Sequence, residues 1–152
     1  MGRRQLVEDT RDKARDLLAK AVEFHGHLGP FLVLGLRMGV MAHSILKPQK
    51  QNDLTANMFV RSDPPESCTV DGVQVSTGCT LGKATIRISG SHNRVAGEFR
   101  AADRTCTITV KTQVLNALLG DLRKATDKLV LEMAERLLSR PDDELFEIAS
   151  FP

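Results

Sequence analysis

The sequence predicts a single α+β domain, in which an antiparallel meander of strands packs with helices from the N-terminal and C-terminal parts of the chain. Segments near both ends place apolar residues at helical spacing, whereas the segment between about residues 84 and 111 alternates apolar and polar residues between turns. A chain of 152 residues is long enough for one buried core. We therefore interpret residues 1–152 as one domain.

The amino-acid composition is that of an ordinary globular protein, and it argues against two classes of binding partner. Hydrophobic residues make up 41% and charged residues 26%, and the formal net charge is only +2, which argues against nucleic acid and anionic membranes. The chain has no Trp or Tyr on which bases could stack. Three cysteines, together with a polar N-terminus that lacks a signal segment, predict free thiols in a reducing cytoplasm.

Residues 8–24 predict an amphipathic helix that delivers a histidine to its apolar side. Five small or aliphatic residues recur at helical spacing, opposite charged residues: Ala14, Leu17, Leu18, Ala21 and Val22. The same spacing places His25 at the end of this apolar stripe. Gly26 then permits a sharp turn that brings His27 alongside His25.

A second helix is predicted over residues 30–46, because Pro30 suits the first helical position and an almost wholly apolar run follows. Its N-terminus carries free backbone N–H groups and a positive partial charge, which suit an anion or a polarised oxygen. Gly35 and Gly39 lie on one face, and each costs about 1 kcal/mol relative to alanine. We expect another backbone to approach them closely, from the same chain or from a second subunit.

Arg37 is the one charged residue inside this apolar run. A buried charge normally needs a partner of opposite charge. We therefore favour a partly buried ion pair for Arg37 over a role in substrate binding.

The next stretch begins with a weakly alternating segment, 54–61, that predicts a strand. The signals then conflict, because the β-branched residues of segment 68–75 favour a strand, whereas Asp63 followed by two prolines favours the start of a helix. If the segment is helical, Cys68 and Asp71 share a face.

Residues 76–83 form a glycine-punctuated loop that does not fit a phosphate-binding P-loop, since Ala84 stands where Ser or Thr would hold magnesium. Three strands of an antiparallel meander follow, at 84–89, 94–100 and 105–111. In the last of them Cys106 shares a face with Ile108 and Val110, so we interpret Cys106 as a buried small hydrophobe.

The C-terminal third predicts a short helix over 115–119 and then the clearest helix of the chain. Thr126 or Asp127 caps that helix, its apolar residues repeat at 3.6-residue spacing, and Pro141 stops it. Residues 145–148 alternate in a way that fits either a final strand or a short docked helix.

Two imidazoles and two thiols are the candidates for chemistry. His25 and His27 lie at one helix junction, and Cys68 and Cys79 bracket the next element and its loop. Two imidazoles with two thiolates make a reasonable tetrahedral site for zinc or another borderline-soft divalent ion. Asp71 can orient a ligand histidine or act as a base. The alternative is that the thiols are unliganded and the histidines bond only loop carbonyls.

Four motifs, in this order, resemble those of a known family, the E subunits of formylmethanofuran dehydrogenase: FHGHLGP at 24–30, GLRMG at 35–39, CTVDGVQ at 68–74 and TGCTLGK at 77–83. The closing segment PDDELFEI, at 141–148, is also similar to the end of that family's core domain. The resemblance spans about residues 10–148. It covers the core domain, without the C-terminal zinc-finger module that many relatives carry.

The resemblance implies an α+β domain that forms homodimers and carries a metal-binding cleft. It makes His27, Cys68 and Cys79 the first ligand candidates and His25 the next, with Zn²⁺ as the first candidate ion and Ni²⁺ or Fe²⁺ as alternatives. It also implies that residues 66–76 are helical.

Two positions depart from the family pattern. Gly29 stands where the family usually has cysteine, and Phe31 stands where it usually has glycine. The chain therefore lacks a thiol that could bind metal or act as a nucleophile, and we do not expect an activity that needs that thiol.

These observations support three alternative functions. The first is a cytoplasmic, homodimeric, zinc-type metal-binding protein, accessory to one-carbon or molybdoenzyme metabolism. The second is a metal-dependent enzyme that binds a small anionic ligand, of the carboxylate or formyl type, at the helix N-terminus, with Asp71 or Lys83 handling protons. The third is a structural or interaction module without metal. Formylmethanofuran oxidation itself needs iron–sulfur clusters that three cysteines cannot support.

Overall fold

The computed structural model describes the backbone of residues 3–151 and the side chains of residues 10–151. Its helices are α1 (Arg3–His25), α2 (Pro30–Leu46), α3 (Cys68–Thr77), α4 (Thr112–Leu122), α5 (Asp127–Ser139) and α6 (Asp142–Leu145). Its strands are β1 (Leu54–Val60), β2 (Ile86–Gly90), β3 (Ala96–Ala101), β4 (Arg104–Val110) and β5 (Phe146–Phe151), and a turn of 3₁₀ helix precedes β1 at Gln51–Asp53. The predicted α+β class is confirmed.

The five strands form one mixed sheet in the order β2-β1-β3-β4-β5. β1 and β2 are parallel, and the other neighbouring pairs are antiparallel. The predicted meander is therefore wrong in its first step, because β1 lies between β2 and β3. The chain returns from β1 to a parallel neighbour through α3, which is the long crossover that parallel pairing requires. The β3–β4 hairpin of the predicted meander is confirmed.

Alternate residues of the central strands are buried in the core. On β1 and β4 the fully or nearly fully buried side chains are Leu54, Ala56, Met58, Val60, Cys106, Ile108 and Val110. Burial raises the pKa of the Cys106 thiol to about 11. Cys106 is thus the buried small hydrophobe that the alternation indicated.

Helix α2 has the predicted bounds, whereas α1 begins before the predicted segment. Helix α3 forms as the resemblance implied, in spite of its β-branched residues. Its N-cap is Ser67 rather than Asp63, and the residues between them form turns. Tertiary packing overrides the local preference, because α3 lies along α2 over most of its length.

The close contact between α2 and α3 explains the two glycines of α2. A Cβ atom at Gly35 would overlap the Thr69 carbonyl, and one at Gly39 would overlap the Ser76 side chain. Gly72 of α3 is equally tight against the backbone of α2. The close approach predicted at these glycines is therefore within the chain, and the homodimer stays a prediction that rests on the resemblance.

Arg37 forms the buried ion pair that the sequence favoured. Its side chain is fully buried, and it donates to the Asp142 carboxylate at 2.5 Å and to the Leu137 carbonyl at 2.6 Å. It also donates to the Arg140 carbonyl, and Thr10 donates to Asp142 at 2.8 Å. Burial lowers the pKa of Arg37, and the Asp142 carboxylate opposes that shift. These hydrogen bonds connect α1, through Thr10, and α2, through Arg37, to the C-terminal end of α5 and the start of α6.

The C-terminal elements are close to prediction. Helix α4 is longer than the predicted 115–119 and runs through Gly120. The Thr126 side chain caps α5 by accepting from the amide of Leu129 at 3.3 Å. Both alternatives for segment 145–148 occur in succession, because α6 ends at Leu145 and β5 begins at the next residue. Within the described part of the chain, no helix is long and apolar enough to cross a bilayer.

Candidate functional site

The loop between α1 and α2 brings His25 and His27 together. Their ring centroids are 4.6 Å apart and the ring planes are inclined by 40°. Gly26 adopts a φ of 103°, in the region that glycine enters freely, and its amide donates to the Val22 carbonyl at 2.7 Å. The turn predicted from this glycine is confirmed. The His25 side chain is 10% exposed, whereas His27 lies on the surface.

Asp71, on the first turn of α3, holds one nitrogen of His25. His25 Nδ1 and Asp71 Oδ2 are 2.5 Å apart, and because a carboxylate only accepts, Nδ1 is the donor. The other ring nitrogen, Nε2, is buried and has no hydrogen-bond partner among the described residues. The site therefore contains an oriented imidazole with one nitrogen left unpaired.

The rings lie at the N-terminus of α2. Gly29 is the N-cap and offers no side-chain oxygen, and Pro30 has no N–H. The amide N–H groups of Phe31 and Leu32 find no acceptor within the described chain. His27 Nε2 is 3.5 Å from the place that a Cβ of Gly29 would occupy. Free N–H groups and the positive end of the helix thus adjoin the histidine pair.

The two candidate thiols lie at opposite ends of α3. Cys68 opens the helix on the same side as Asp71, and burial, followed by the Asp71 charge, raises the pKa of its thiol. Cys79 follows the helix, is 1% exposed and donates from Sγ to the Leu54 carbonyl at 3.2 Å. Burial also raises the pKa of Cys79. The ten-residue helix between them is about 15 Å long.

The structure brings His25, His27 and Asp71 together and leaves Cys79 elsewhere. Among the residues whose side chains are described, 10–151, no group of three or more His, Cys, Asp or Glu side chains is arranged to hold a metal ion. The assignment of His25, His27, Cys68 and Cys79 as metal ligands stays a prediction.

The second catalytic candidate, Lys83, lies in the loop after α3. Its Nζ donates to Asn52 Oδ1 at 3.3 Å at the surface, and its positive charge opposes the rise in the pKa of Cys79 that burial causes. A proton-transfer role for Asp71 or Lys83 stays a prediction. No sequence pattern pointed to Thr69, whose hydroxyl is buried without a hydrogen-bond partner in the described structure.

Comparison with known proteins decides the family. Residues 24–147 match the family model described as "FmdE, Molybdenum formylmethanofuran dehydrogenase operon". The chain belongs to the FmdE family. The resemblance carried by the four motifs is thereby confirmed, and the matched region of this FmdE protein contains His25, His27, Asp71 and both candidate thiols.

A curated relative from Archaeoglobus fulgidus, named "Probable S-adenosyl-L-methionine-binding protein", is 39% identical over 77 residues. The match covers 50% of this chain and 21% of the relative. The matched part of the FmdE chain thus corresponds to about a fifth of that relative's length.

Proposed function

We propose that this FmdE protein binds a divalent metal ion, with Zn²⁺ as the first candidate, through His25 and His27 at the head of α2. The observation that carries the proposal is Nε2 of His25, which is buried without a hydrogen-bond partner in the described part of the chain while Asp71 holds Nδ1. Metal-binding histidines almost always donate their other ring N–H to a carboxylate, carbonyl or water, which fixes the ring and raises its basicity. The His25–Asp71 pair has this arrangement, so the residues fit an ion.

Access to Nε2 requires a side chain to move, because water does not reach this atom. His27 is suited to that movement, since its ring is exposed and its described contact is with the ring of His25. Exposed side chains change rotamer within nanoseconds. A turn of the His27 ring would open Nε2 and bring a second imidazole to the same ion.

Two imidazoles do not complete a tetrahedral shell. Cys68 is the next candidate, because it lies on the face of α3 that carries Asp71. Its raised pKa keeps the thiol protonated in the metal-free protein, and a nearby cation would favour the thiolate. Cys79 is the weakest candidate, since its thiol would have to break its hydrogen bond to the Leu54 carbonyl before it could bind the ion.

The biological setting that we propose is a homodimer accessory to one-carbon or molybdoenzyme metabolism. The family description, which names an operon of molybdenum formylmethanofuran dehydrogenase, supports that setting. The name of the Archaeoglobus relative adds S-adenosylmethionine as a second candidate ligand. Because the match covers 21% of that relative, its ligand can bind outside the matched segment.

Metal analysis of protein purified without added metal tests the proposal. We expect about one equivalent of transition metal per chain, and a His25→Ala variant should lose it. The matched control is His43→Ala, an exposed histidine near the other end of α2, which should keep the metal. Less than about a tenth of an equivalent in the wild type, or equal metal in both variants, would refute the proposal. Titration of the metal-free protein with S-adenosylmethionine tests the second ligand.

A further inference from the structure

The sheet ends at β5, which pairs with β4 on one side and with no strand of the described chain on the other. Lys111 N donates to the Leu145 carbonyl at 2.9 Å, and these two residues continue the β4–β5 register. Hydrogen-bonded residues alternate along an antiparallel ladder, so every second residue after Leu145 also bonds to β4. The residues between them direct their backbone N–H and C=O groups away from the sheet: Phe146, Ile148 and Ser150.

The side chains at this edge leave apolar surface uncovered. Ile148 lies opposite Ile108 of β4, on the face that α2 covers over β3 and β4. Ile108 is fully buried, whereas Ile148 is 45% exposed, and Phe151 on the other face is 56% exposed. Natural edge strands are usually shielded by charged residues, proline or a covering element. Among the five exposed residues of β5, only Glu147 is charged, so the edge is suited to pairing with another strand.

The opposite edge of the sheet, β2, is less suited to such pairing. It has five residues, against six in β5. It exposes one large apolar side chain, Ile88, beside the charged Arg87, and it ends at Gly90, which has no side chain to pack. The comparison favours β5 as the interacting edge, and Ile88 gives a matched position for an experiment.

We propose, as a specification of the homodimer in the proposed function, on which this inference rests, that two copies of the chain pair through β5. The two-fold axis is perpendicular to the sheet and passes between the two copies of Ile148. Such an axis makes the two β5 strands antiparallel and keeps the helical layers of both copies on the same side. The two sheets then form one continuous sheet, in which neither copy has a free β5 edge.

The backbone groups of β5 select this register among the three central ones. With Glu147 at the axis, two carboxylates would be directly opposite each other, which is destabilising. With Ala149 at the axis, Phe146 would fall beyond the partner's β5. With Ile148 at the axis, all three outward-facing residues are paired, because Phe146 lies opposite Ser150 of the partner subunit. Two hydrogen bonds from each of the three opposite pairs give about six in all.

The side chains agree with the same register. Ile148 would meet the partner subunit's Ile148 on the helical side of the sheet, which covers the apolar side chain that one copy leaves exposed. On the other face, Glu147 would lie opposite Ala149 of the partner subunit, so the two carboxylates are not opposite each other. β5 is therefore complementary to its own copy in backbone hydrogen bonds, apolar contact and charge.

Sedimentation equilibrium over a range of protein concentrations tests the interface. We expect a wild-type dimer, and Ile148→Lys should weaken it by about 100-fold or more, because two ammonium groups would meet at the axis. The matched control is Ile88→Lys, which places the same charge at an exposed isoleucine of the other edge strand and should leave the dimer unchanged. Circular dichroism checks that both variants are folded.

A second pair of variants tests the register. Ala149→Lys would place an ammonium group opposite the partner subunit's Glu147, and Ala149→Glu would place a carboxylate there. Opposite charges directly across an antiparallel pair are favourable and like charges are unfavourable, so Ala149→Lys should dimerise about tenfold more tightly than Ala149→Glu. Ala149 is exposed, so both changes leave the core of one copy intact.

The outcomes separate this inference from the metal function, because metal content is measured on the same preparations. A wild type that is monomeric at the highest concentration it tolerates overturns the β5 interface, whether or not it contains metal. A dimer that Ile88→Lys weakens and Ile148→Lys does not, or that neither change weakens, also overturns it. Equal dimer affinities of Ala149→Lys and Ala149→Glu overturn the register. A dimer that behaves as expected but contains no metal supports the interface and refutes the metal function.

Discussion

Two side-chain pairs join distant parts of this chain, and they differ in how much of their hydrogen-bonding capacity the fold uses. Arg37 and Asp142 are 2.5 Å apart, and Arg37 also donates to two carbonyls at the end of α5. His25 and Asp71 are also 2.5 Å apart, but the Asp71 side chain is 36% exposed, and the other ring nitrogen of His25 has no hydrogen-bond partner among the described residues.

The comparison separates a structural pair from a candidate site. Three of the five N–H donors of Arg37 are hydrogen-bonded, and Nε is its only buried nitrogen without a partner among the described residues, so the side chain is fixed within the fold. Among the described residues His25 pairs only one of its two ring nitrogens, and it lies beside an exposed ring and a helix N-terminus that has no side-chain cap. Stability should therefore depend on the first pair, and ligand binding on the second.

Replacement of Arg37 gives the largest expected effect. Arg37→Ala leaves the Asp142 carboxylate buried without its partner, so we expect a loss of about 3–5 kcal/mol in the free energy of unfolding. Urea denaturation measures this loss. The matched control is Arg100→Ala, an exposed partner of Glu98, which should cost about 1 kcal/mol or less. Equal effects of the two changes would show that the Arg37 pair is not structural.

The contact of α3 with α2 holds Asp71 against His25 and gives the next largest effect. Gly35→Ala would drive a methyl group into the Thr69 carbonyl and should cost about 1–3 kcal/mol. Gly120→Ala is the control, because that helical glycine has open space around it and should gain about 1 kcal/mol. Thermal or urea unfolding that moved in the same direction for both would contradict the packing described here.

Asp71→Asn should affect metal binding much more than stability, whereas Arg37→Ala should affect stability. The pair with His25 is partly exposed, so the free energy of unfolding should fall by less than about 1 kcal/mol. Zn²⁺ affinity should fall by about 10- to 100-fold, since the ring would lose the carboxylate that orients it. Asp103→Asn, in an exposed turn, should change neither quantity. Unchanged Zn²⁺ affinity in Asp71→Asn would remove Asp71 from the site.

The smallest predicted effect concerns Cys106, a buried residue of the sheet that belongs to neither pair. The folded state raises the pKa of this thiol from 9.0 to about 11, so folding favours the protonated form. The resulting stability is fully present below pH 9 and is lost as the pH rises from 9 to about 11. Cys106→Ala should therefore lose less stability than the wild type between these pH values, as measured by urea midpoints. An identical pH dependence would mean that the thiol contributes nothing.

Local patterns predicted much of the fold and the part of the site that is close in sequence. The apolar stripe of α1 placed His25 inward, and Gly26 and Pro30 indicated the turn and the start of α2. The order of the strands was not predictable, because alternation shows that β2 is a strand but carries no information on its neighbour.

The parts of the site that depend on contacts between distant segments could not be predicted from the sequence. Spacing placed Cys68 and Asp71 on one face if α3 was helical, but β-branched residues argued against the helix, and packing on α2 decided it. No pattern indicated that Cys79 would turn to the Leu54 carbonyl, because that bond joins residues 25 positions apart. The pairing of His25 with Asp71 was predictable only as one of several roles for that carboxylate.

The most direct test of the central claim, that His25 keeps Nε2 free for an ion, is anomalous diffraction from crystals of the Zn²⁺-loaded protein. The account predicts a zinc peak about 2.0–2.1 Å from His25 Nε2, with Asp71 still bonded to Nδ1. A zinc peak at Cys79 alone, or a His25 Nε2 that remains buried and distant from every zinc peak, would contradict it.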